Sequence, residues 1–149
     1  NTFISSTFWT ERAGPSAALK TLEIMEREKS WEYICELGKY INSGWAKAAE
    51  NNNLDIKIFG LSSITKYILQ TNHDFIKYKT LITQEMLKKG YLATNAAYVS
   101  IAHDKKLIDE YIENLNEVFL LINKCEQGDL NIDTLLESNV CHSEFTRLN

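Results

Sequence analysis

The sequence is organised around one stretch near its start, Ser5-Ser6-Thr7-Phe8-Trp9-Thr10-Glu11-Arg12-Ala13-Gly14-Pro15-Ser16-Ala17-Ala18. It runs from a hydroxyl-rich loop into a predicted helix, whose first turn tolerates the proline. Hydroxyls and backbone N–H groups in front of a helix N-terminus are the donors that a bound phosphate needs. The same hydroxyls also serve as helix caps, so the pattern alone leaves both roles open.

The composition is that of an ordinary soluble globular domain. The chain has 149 residues, of which 44% are hydrophobic and 24% are charged, and this length allows one domain with a buried core. Its net charge of -4 argues against nucleic-acid binding, because a protein that follows phosphates needs clustered cations. No apolar run approaches the roughly 20 residues of a membrane span, and the first residues do not resemble a signal peptide. We therefore expect no nucleic acid and no membrane as partner. Since residue 1 is Asn rather than Met, we also expect the chain to be a piece of something longer.

The cysteines do not form a metal or disulfide motif. Cys35, Cys125 and Cys141 are an odd number without regular spacing, which indicates reduced thiols in a cytoplasmic protein. Two of them, with His142, would offer zinc too few ligands at unsuitable spacing. We therefore predict no metal site.

Helical spacing of apolar residues predicts two consecutive helices after the opening stretch. The pattern falters at Lys29 and Ser30, then resumes until the polar residues 51–53, which end the second helix. Gly38 and Gly44 lie inside this second helix and each lowers its stability by about 1 kcal/mol relative to alanine, so close packing is expected there. The first helix presents Ala18, Leu22 and Met25 on its apolar face, and the second presents Trp31, Ile34, Cys35, Leu37, Ile41, Trp45 and Ala48.

After the second helix the apolar spacing changes to alternation, which predicts strands. Residues 54–58 and residues 64–70 both alternate, and Gly60 is predicted to turn the chain between them. The result is a β-hairpin packed against helices on one side.

The second half of the chain continues the mixed pattern. Thr71-Asn72 is predicted to cap a third helix, which Gly90 ends. Short strands are predicted at residues 91–93 and at residues 97–101. His103-Asp104 has no nucleophile placed beside it for catalysis, and we expect it to cap or pack the start of the last and most amphipathic helix. This order predicts an α+β fold in which a small, mainly antiparallel sheet is covered by helices.

The opening stretch also resembles a known family. Residues 7–22 are similar to the segment of class III, pyridoxal-phosphate-dependent aminotransferases in which a Thr-aromatic step leads into a helix. Within that class they most resemble the glutamate-semialdehyde aminomutase-like branch, although the commoner form has Gly-Asn-Pro where this chain has Thr10-Glu11-Arg12. Residues 85–93 resemble the family's helix, glycine and strand step, and residues 97–104 resemble its strand that ends in Ala-His.

The resemblance implies a domain organisation. It makes residues 1–15 a loop leading from a missing large domain, and residues 16–123 a C-terminal domain like the small domain of fold-type I pyridoxal-phosphate enzymes. Residues 124–149 would form a C-terminal tail with a short helix. The expected partners are the missing cofactor-binding domain, a second copy in a homodimer, and a small-molecule amino donor or acceptor.

The resemblance also implies site residues. Thr7 matches the threonine that contacts the cofactor phosphate bound by the partner subunit, and Ser6 is a second cofactor-binding candidate. Asn95 and Arg12 are weaker candidates for contacting substrate, since a guanidinium recognises carboxylates well. For Arg12 and Glu11 a surface ion pair is the favoured alternative, and a turn role is equally open for Asn95.

The chain lacks the centre of such an enzyme. Pyridoxal-phosphate chemistry needs a Schiff-base lysine and a carboxylate near the pyridine nitrogen, and the family carries both in the large domain. We therefore expect pyridoxal phosphate in the intact enzyme, none in this chain alone, and no activity of the isolated chain. The alternative reading is a non-catalytic dimerisation or protein-binding module.

Overall fold

The computed structural model describes residue 7 and residues 11–142. Its elements in chain order are α1 (Ala13–Glu28), α2 (Ser30–Asn51), β1 (Asp55–Leu61), β2 (Ile64–Gln70), α3 (Phe75–Lys88), β3 (Ala96–Tyr98), α4 (Lys105–Glu126) and α5 (Ile132–Leu135). The three strands form one antiparallel sheet in the order β1-β2-β3. The predicted α+β class, with a small antiparallel sheet covered by helices, is confirmed.

The predicted break between the first two helices lies at Lys29. This residue adopts the left-handed conformation, with φ 46°, which few residues other than glycine do. The helices on either side differ in burial: α1 has no buried residue, whereas Trp45 of α2 is fully buried. Trp31, which helical spacing placed on the same face as Trp45, is 45% exposed and does not belong to the core.

Close packing at the two glycines of α2 is confirmed. A Cβ built on Gly38 would lie 1.7 Å from the carbonyl oxygen of Ser62 in the β1–β2 turn, and one built on Gly44 would lie 2.8 Å from Cδ1 of Ile112 in α4. Gly38 therefore lets the helix backbone touch the hairpin directly. This contact sets how closely the sheet and α2 approach each other.

The hairpin forms as predicted, but its turn lies elsewhere. Leu61 pairs with Ile64, so Ser62 and Ser63 make the turn, and Gly60 sits inside β1 opposite Thr65. Gly60 has φ +98°, a conformation that explains why glycine is needed within the strand end. Gly60 was therefore assigned the wrong role.

Two details around α3 differ from the predictions. The N-cap is Asp74, whose carboxylate accepts from the backbone N–H of Ile76; the Thr71 hydroxyl donates to the His73 carbonyl instead. Residues 91–93 are not a strand, because the N–H of Tyr91 bonds back to the Met86 carbonyl and completes the helix end. The strand predicted at residues 97–101 is shorter than expected and begins one residue earlier, since β3 covers residues 96–98.

The core lies between α2, α3 and α4 and the inner face of the sheet. Its centre is aromatic: the ring of Tyr67 contacts those of Trp45 and Phe119 edge to face, with centroid distances of 4.7 and 5.8 Å. The predicted stripes of α3 and α4 supply most of the rest. The largest fully buried side chains are Trp45, Tyr67, Tyr78, Phe119, Leu69, Leu81, Ile82, Met86, Leu115, Ile122, Ile132 and Val118.

The chain that follows α4 folds back along α3. Gln84 holds it by two hydrogen bonds: its amide nitrogen donates to the Leu135 carbonyl and its amide oxygen accepts from the N–H of Glu137. The N–H of Cys141 then donates to the Thr80 hydroxyl. Among the described residues, the helices lack either the length or the apolar character needed to cross a membrane.

Candidate functional site

The described part of the predicted phosphate site is Thr7 and the start of α1. Thr7 lies in a turn and is exposed, while Ser6 lies outside the described residues. The N-cap of α1 is Arg12, five residues after Thr7, and its side chain makes no capping hydrogen bond. Thr7 therefore does not cap α1. The N-caps of α3 and α4, Asp74 and Asp104, both accept from backbone N–H groups.

Arg12 stands at the surface at the start of α1. Its backbone carbonyl accepts from the N–H of Ser16 at 3.0 Å, and its side chain is exposed. An exposed guanidinium at this position can bind a carboxylate without first breaking a buried ion pair. The first turn of α1 carries no acidic residue, which leaves the positive end of the helix dipole uncompensated from within that turn.

Asn95 occupies a structural position at the start of β3. Its amide nitrogen donates to the Tyr67 carbonyl at 2.8 Å, and its own carbonyl accepts from the Tyr67 N–H at 3.0 Å. The Thr94 hydroxyl donates to its amide oxygen at 3.3 Å. Asn95 thus extends the sheet by one residue and ties this loop to the core aromatic Tyr67. Within the described part of the chain, no hydrogen bond joins Asn95 to Arg12 or Thr7.

His103 and Asp104 behave as the sequence predicts. The Nδ1 of His103 accepts from the Ser100 N–H, and its carbonyl accepts from the Tyr33 hydroxyl at 2.9 Å. The Asp104 carboxylate accepts from the Leu107 N–H at 2.7 Å. Both residues fix the start of α4 and have no catalytic arrangement.

One electrostatic feature that the sequence reasoning missed centres on Glu126, in the last turn of α4. Its carboxylate accepts from the Tyr78 hydroxyl at 2.6 Å and from the N–H groups of Asn72 and His73 at 2.7 and 3.4 Å. Partial burial by itself would raise the pKa of Glu126, but these hydrogen bonds outweigh it and hold the pKa below its usual value. Burial and the Glu126 carboxylate together raise the pKa of Tyr78. One feature of the sequence could have indicated this cluster: Glu126 is a carboxylate in the last turn of a helix, where the negative end of the helix dipole makes it unfavourable without a compensating partner.

Two shallow grooves open on the helical side. One, of about 310 Å³, lies between α2 and the start of α4, where Lys105 stands over the Tyr40 ring at 5.4 Å and the Tyr40 hydroxyl donates to Asp109. The other, of about 610 Å³, lies between α3 and the returning chain near Cys141. Neither is lined by Thr7, Arg12 or Asn95.

The thiols and metal-binding side chains are dispersed. Cys35, Cys125 and Cys141 are free, and burial raises the pKa of the Cys125 thiol. Across residues 11–142 no three His, Cys, Asp or Glu side chains come together as metal ligands.

The described residues match one edge of a cofactor site and not its centre. Each lysine among them is exposed or half-buried, whereas a lysine that holds pyridoxal phosphate needs a desolvated pocket with a carboxylate and an aromatic ring beside it. An exposed hydroxyl ahead of an uncapped helix suits the phosphate end of such a group. Thr7 is the described residue that meets this requirement in kind, as an exposed hydroxyl.

Comparisons with known proteins address the kind of domain rather than single residues. No protein-family model matches the chain. The chain is similar to a glutamate-1-semialdehyde 2,1-aminomutase of Polynucleobacter necessarius, with 30% identity over 125 residues, covering 75% of this chain and 29% of that protein. Its fold is similar to the FumI protein of Sphingopyxis sp. MTA144 in its pyridoxal-phosphate internal-aldimine form, with TM-score 0.74 and 18% identity, covering 91% of this chain and 33% of that one. The chain thus spans about a third of the length of these relatives.

The fold is one that a pyridoxal-phosphate-dependent enzyme also contains. The sequence similarity is more specific than the similarity in fold, because the matched protein is an aminomutase and the aligned residues cover most of this chain. These two similarities confirm the resemblance to pyridoxal-phosphate-dependent, aminotransferase-like proteins.

Proposed function

We propose that this chain is the C-terminal domain of a pyridoxal-phosphate-dependent aminotransferase or aminomutase, and that it closes the substrate cleft of that enzyme. The similarity to an aminomutase over 125 residues carries the proposal. The intact enzyme would transfer an amino group to or from a small molecule as a homodimer in the cytoplasm. The isolated chain would be inactive, because the lysine that binds the cofactor belongs to the large domain.

In this proposal Thr7 completes the phosphate site of the partner subunit. Its exposed hydroxyl donates to a phosphate oxygen, and Ser6 supplies a second donor. The positive end of α1, which carries no acidic side chain in its first turn, adds a favourable field. Pyridoxal phosphate, when bound, supplies the electron sink for the amino transfer. The domain's own contribution is to hold the phosphate and cover the site.

Arg12 and Asn95 are proposed to contact substrate. The Arg12 guanidinium is exposed and suits a carboxylate. Asn95 has less freedom, because its amide nitrogen already donates to the Tyr67 carbonyl. Asn95 would therefore contact substrate through its amide oxygen, while its amide nitrogen positions the loop of residues 94–95.

The test of the phosphate role is Thr7→Ala in the complete enzyme, with the dissociation constant of pyridoxal phosphate as the readout. Removing one hydrogen bond to a charged oxygen weakens binding by about 1.5 kcal/mol, or about tenfold. The matched control is Thr21→Ala, since the Thr21 hydroxyl only donates to the Ala17 carbonyl within α1. Equal cofactor affinity in Thr7→Ala and Thr21→Ala would remove Thr7 from the phosphate site.

A non-catalytic dimerisation or protein-binding module is the competing function, and one observation favours it. Leu19 and Leu22 of α1 are 63% and 61% exposed, so this helix presents an apolar stripe to any partner. Sequencing the gene upstream of the codon for Asn1 separates the two functions. An upstream domain with an aspartate at a strand end and a later lysine loop supports the enzyme, whereas an unrelated domain or a start codon there supports the module.

A further inference from the structure

One face of the sheet is covered by helices, and the opposite face carries large apolar side chains that stay exposed in the part of the chain that the structure describes. In β2 the residues Thr65, Tyr67 and Leu69 are buried against the helices, so the residues between them point the other way. We call this surface the outer sheet face. Its apolar members are Phe59, Leu61, Ile64, Ile68 and Tyr98.

The strand register gathers these side chains into one patch. Leu61, Ile64 and Tyr98 lie side by side across β1, β2 and β3, and are 72%, 44% and 68% exposed. Side chains directly opposite on antiparallel strands are about 5 Å apart. Phe59 and Ile68 continue the patch along the sheet. Single exposed apolar residues are ordinary, but a contiguous patch marks an interaction surface.

The outer sheet face also carries two lysines near its centre, and the exposed Asp55 lies on the same face two residues before Lys57. Lys66 lies opposite Phe59, and Lys57 lies opposite Ile68. Among the described residues neither lysine has a carboxylate within ion-pair distance. The surface that covers this face should therefore be apolar and should carry acidic side chains beside the two lysines.

We propose that the outer sheet face docks the cofactor-binding domain of the same polypeptide. This inference rests on the proposed function. A sheet with one solvated face normally alternates apolar and polar residues, and this sheet departs from that rule at five positions. The chain covers only 29% and 33% of its relatives, so most of their length is available to provide the cover. The three hydrogen-bonded strands rest on the core and hold the patch rigidly, whereas α1 has no buried residue to fix it.

The experiment compares thiol labelling of Ile64→Cys and Leu120→Cys, each in the complete polypeptide and in the isolated 149-residue chain. The two side chains match, because each is 44% exposed. Ile64 lies on the outer sheet face and Leu120 on the solvent side of α4. Maleimide is the probe, and mass spectrometry of the resulting peptides separates each new thiol from the three native ones. Tyr98→Cys serves as a second position on the face.

We expect Ile64→Cys and Tyr98→Cys to react about tenfold more slowly in the complete polypeptide than in the isolated chain, and Leu120→Cys to change by less than about twofold. Equal rates at all positions overturn the proposal. If labelling of the isolated chain is slow and becomes slower as the protein concentration rises, a second copy of this chain covers the face, and the proposal is wrong.

A charge reversal gives an independent readout. The double variant Lys57→Glu, Lys66→Glu should lower the thermal midpoint of the complete polypeptide and leave that of the isolated chain unchanged. An equal drop in both overturns the predicted contact. Pyridoxal phosphate absorbance of the complete polypeptide is measured separately, so protection without cofactor binding contradicts the proposed function alone. Cofactor binding without protection contradicts the docking face alone.

Discussion

Replacing Gly38 by alanine should destabilise the domain, although alanine favours helices. The exchange in the middle of α2 is worth about 1 kcal/mol in helix propensity. The new Cβ, however, would lie 1.7 Å from the Ser62 carbonyl oxygen and 2.4 Å from its carbon, so helix and hairpin must separate by more than an ångström. Backbone atoms on both sides make that shift expensive, because Leu37 and Ile41 are packed in the core next to it. Overpacking of this kind costs about 3 kcal/mol, which leaves a net loss of about 2 kcal/mol.

Gly44→Ala is the matched control, since it lies in the same helix and has the same gain in propensity. Its Cβ would meet Cδ1 and Cγ1 of Ile112 at 2.8 Å. These atoms belong to a side chain that can change rotamer, at a cost of about 1 kcal/mol. The gain and the cost then cancel, so the variant should be as stable as the parent chain.

Urea unfolding of the isolated chain, followed by far-ultraviolet circular dichroism, measures both variants. The Gly38→Ala midpoint should fall at unchanged slope, and the Gly44→Ala midpoint should stay in place. If the two variants differ by less than about 0.5 kcal/mol, the direct backbone contact between α2 and the hairpin does not determine their approach.

Three further changes test other contacts. The pKa of Glu126 is lower in the folded protein than its usual value, so its carboxylate stabilises the fold above the unfolded-state pKa, and this stabilisation is lost as the pH falls through the folded-state pKa. Glu126→Gln should therefore lower the free energy of unfolding by about 1 kcal/mol at pH 7. The same variant should lose less stability than the parent chain below about pH 5. Urea midpoints at a series of pH values measure this, and parallel profiles for both proteins would contradict it. Asp104→Ala removes the carboxylate that accepts from the Leu107 N–H and should cost about 1 kcal/mol in unfolding free energy; an unchanged midpoint would show that the cap is dispensable. Gln84→Leu removes the acceptor of the Glu137 N–H. The hydrogen exchange of this N–H should become about tenfold faster while the global stability stays unchanged. An unchanged exchange rate would mean that Gln84 does not hold the returning chain.

The helices that pack on the core were predictable because their signal is repeated. Stripes of five or more apolar residues at helical spacing indicated α2, α3 and α4, and Asp104 was recognised as a cap from its place before one of them. The strand prediction for residues 91–93 was wrong because three residues show only one alternation of apolar and polar side chains. A helix end with glycine at C′ produces the same pattern. The turn was misplaced for a related reason: Gly60 marks a positive φ, but a positive φ also occurs inside a strand end.

The burial of an apolar side chain could be predicted only where other elements of this chain pack against it. The apolar stripe of α1 and Trp31 of α2 follow the same spacing as the core positions, yet they are exposed. Periodicity shows that a face is apolar and does not show which molecule lies against it. Exposed members of a regular apolar stripe are therefore evidence about missing partners.

The candidate site could be predicted only through resemblance. Nothing in the spacing of Thr7 distinguishes a phosphate ligand from a cap, and the structure contributes by placing the N-cap at Arg12 instead. Glu126 went unnoticed because its partners, Tyr78 and the backbone of residues 72–73, are brought to it by the fold and lie far away in sequence. Contacts of that kind leave no local pattern.

The distribution of burial separates what this domain does for itself from what it offers to others. Trp45, Tyr67 and Phe119 lock α2, β2 and α4 together without help from any other chain, so the fold has its own core and should form in isolation. Among the described residues, α1 and the outer sheet face stay exposed: α1 has no buried residue, and the outer sheet face lies on the side of the strands opposite to that core. Under the proposed function, these exposed surfaces would face the rest of a larger enzyme, which would supply the cofactor chemistry. The residue that this domain would add to that chemistry, Thr7, precedes the uncovered helix rather than lying in the core.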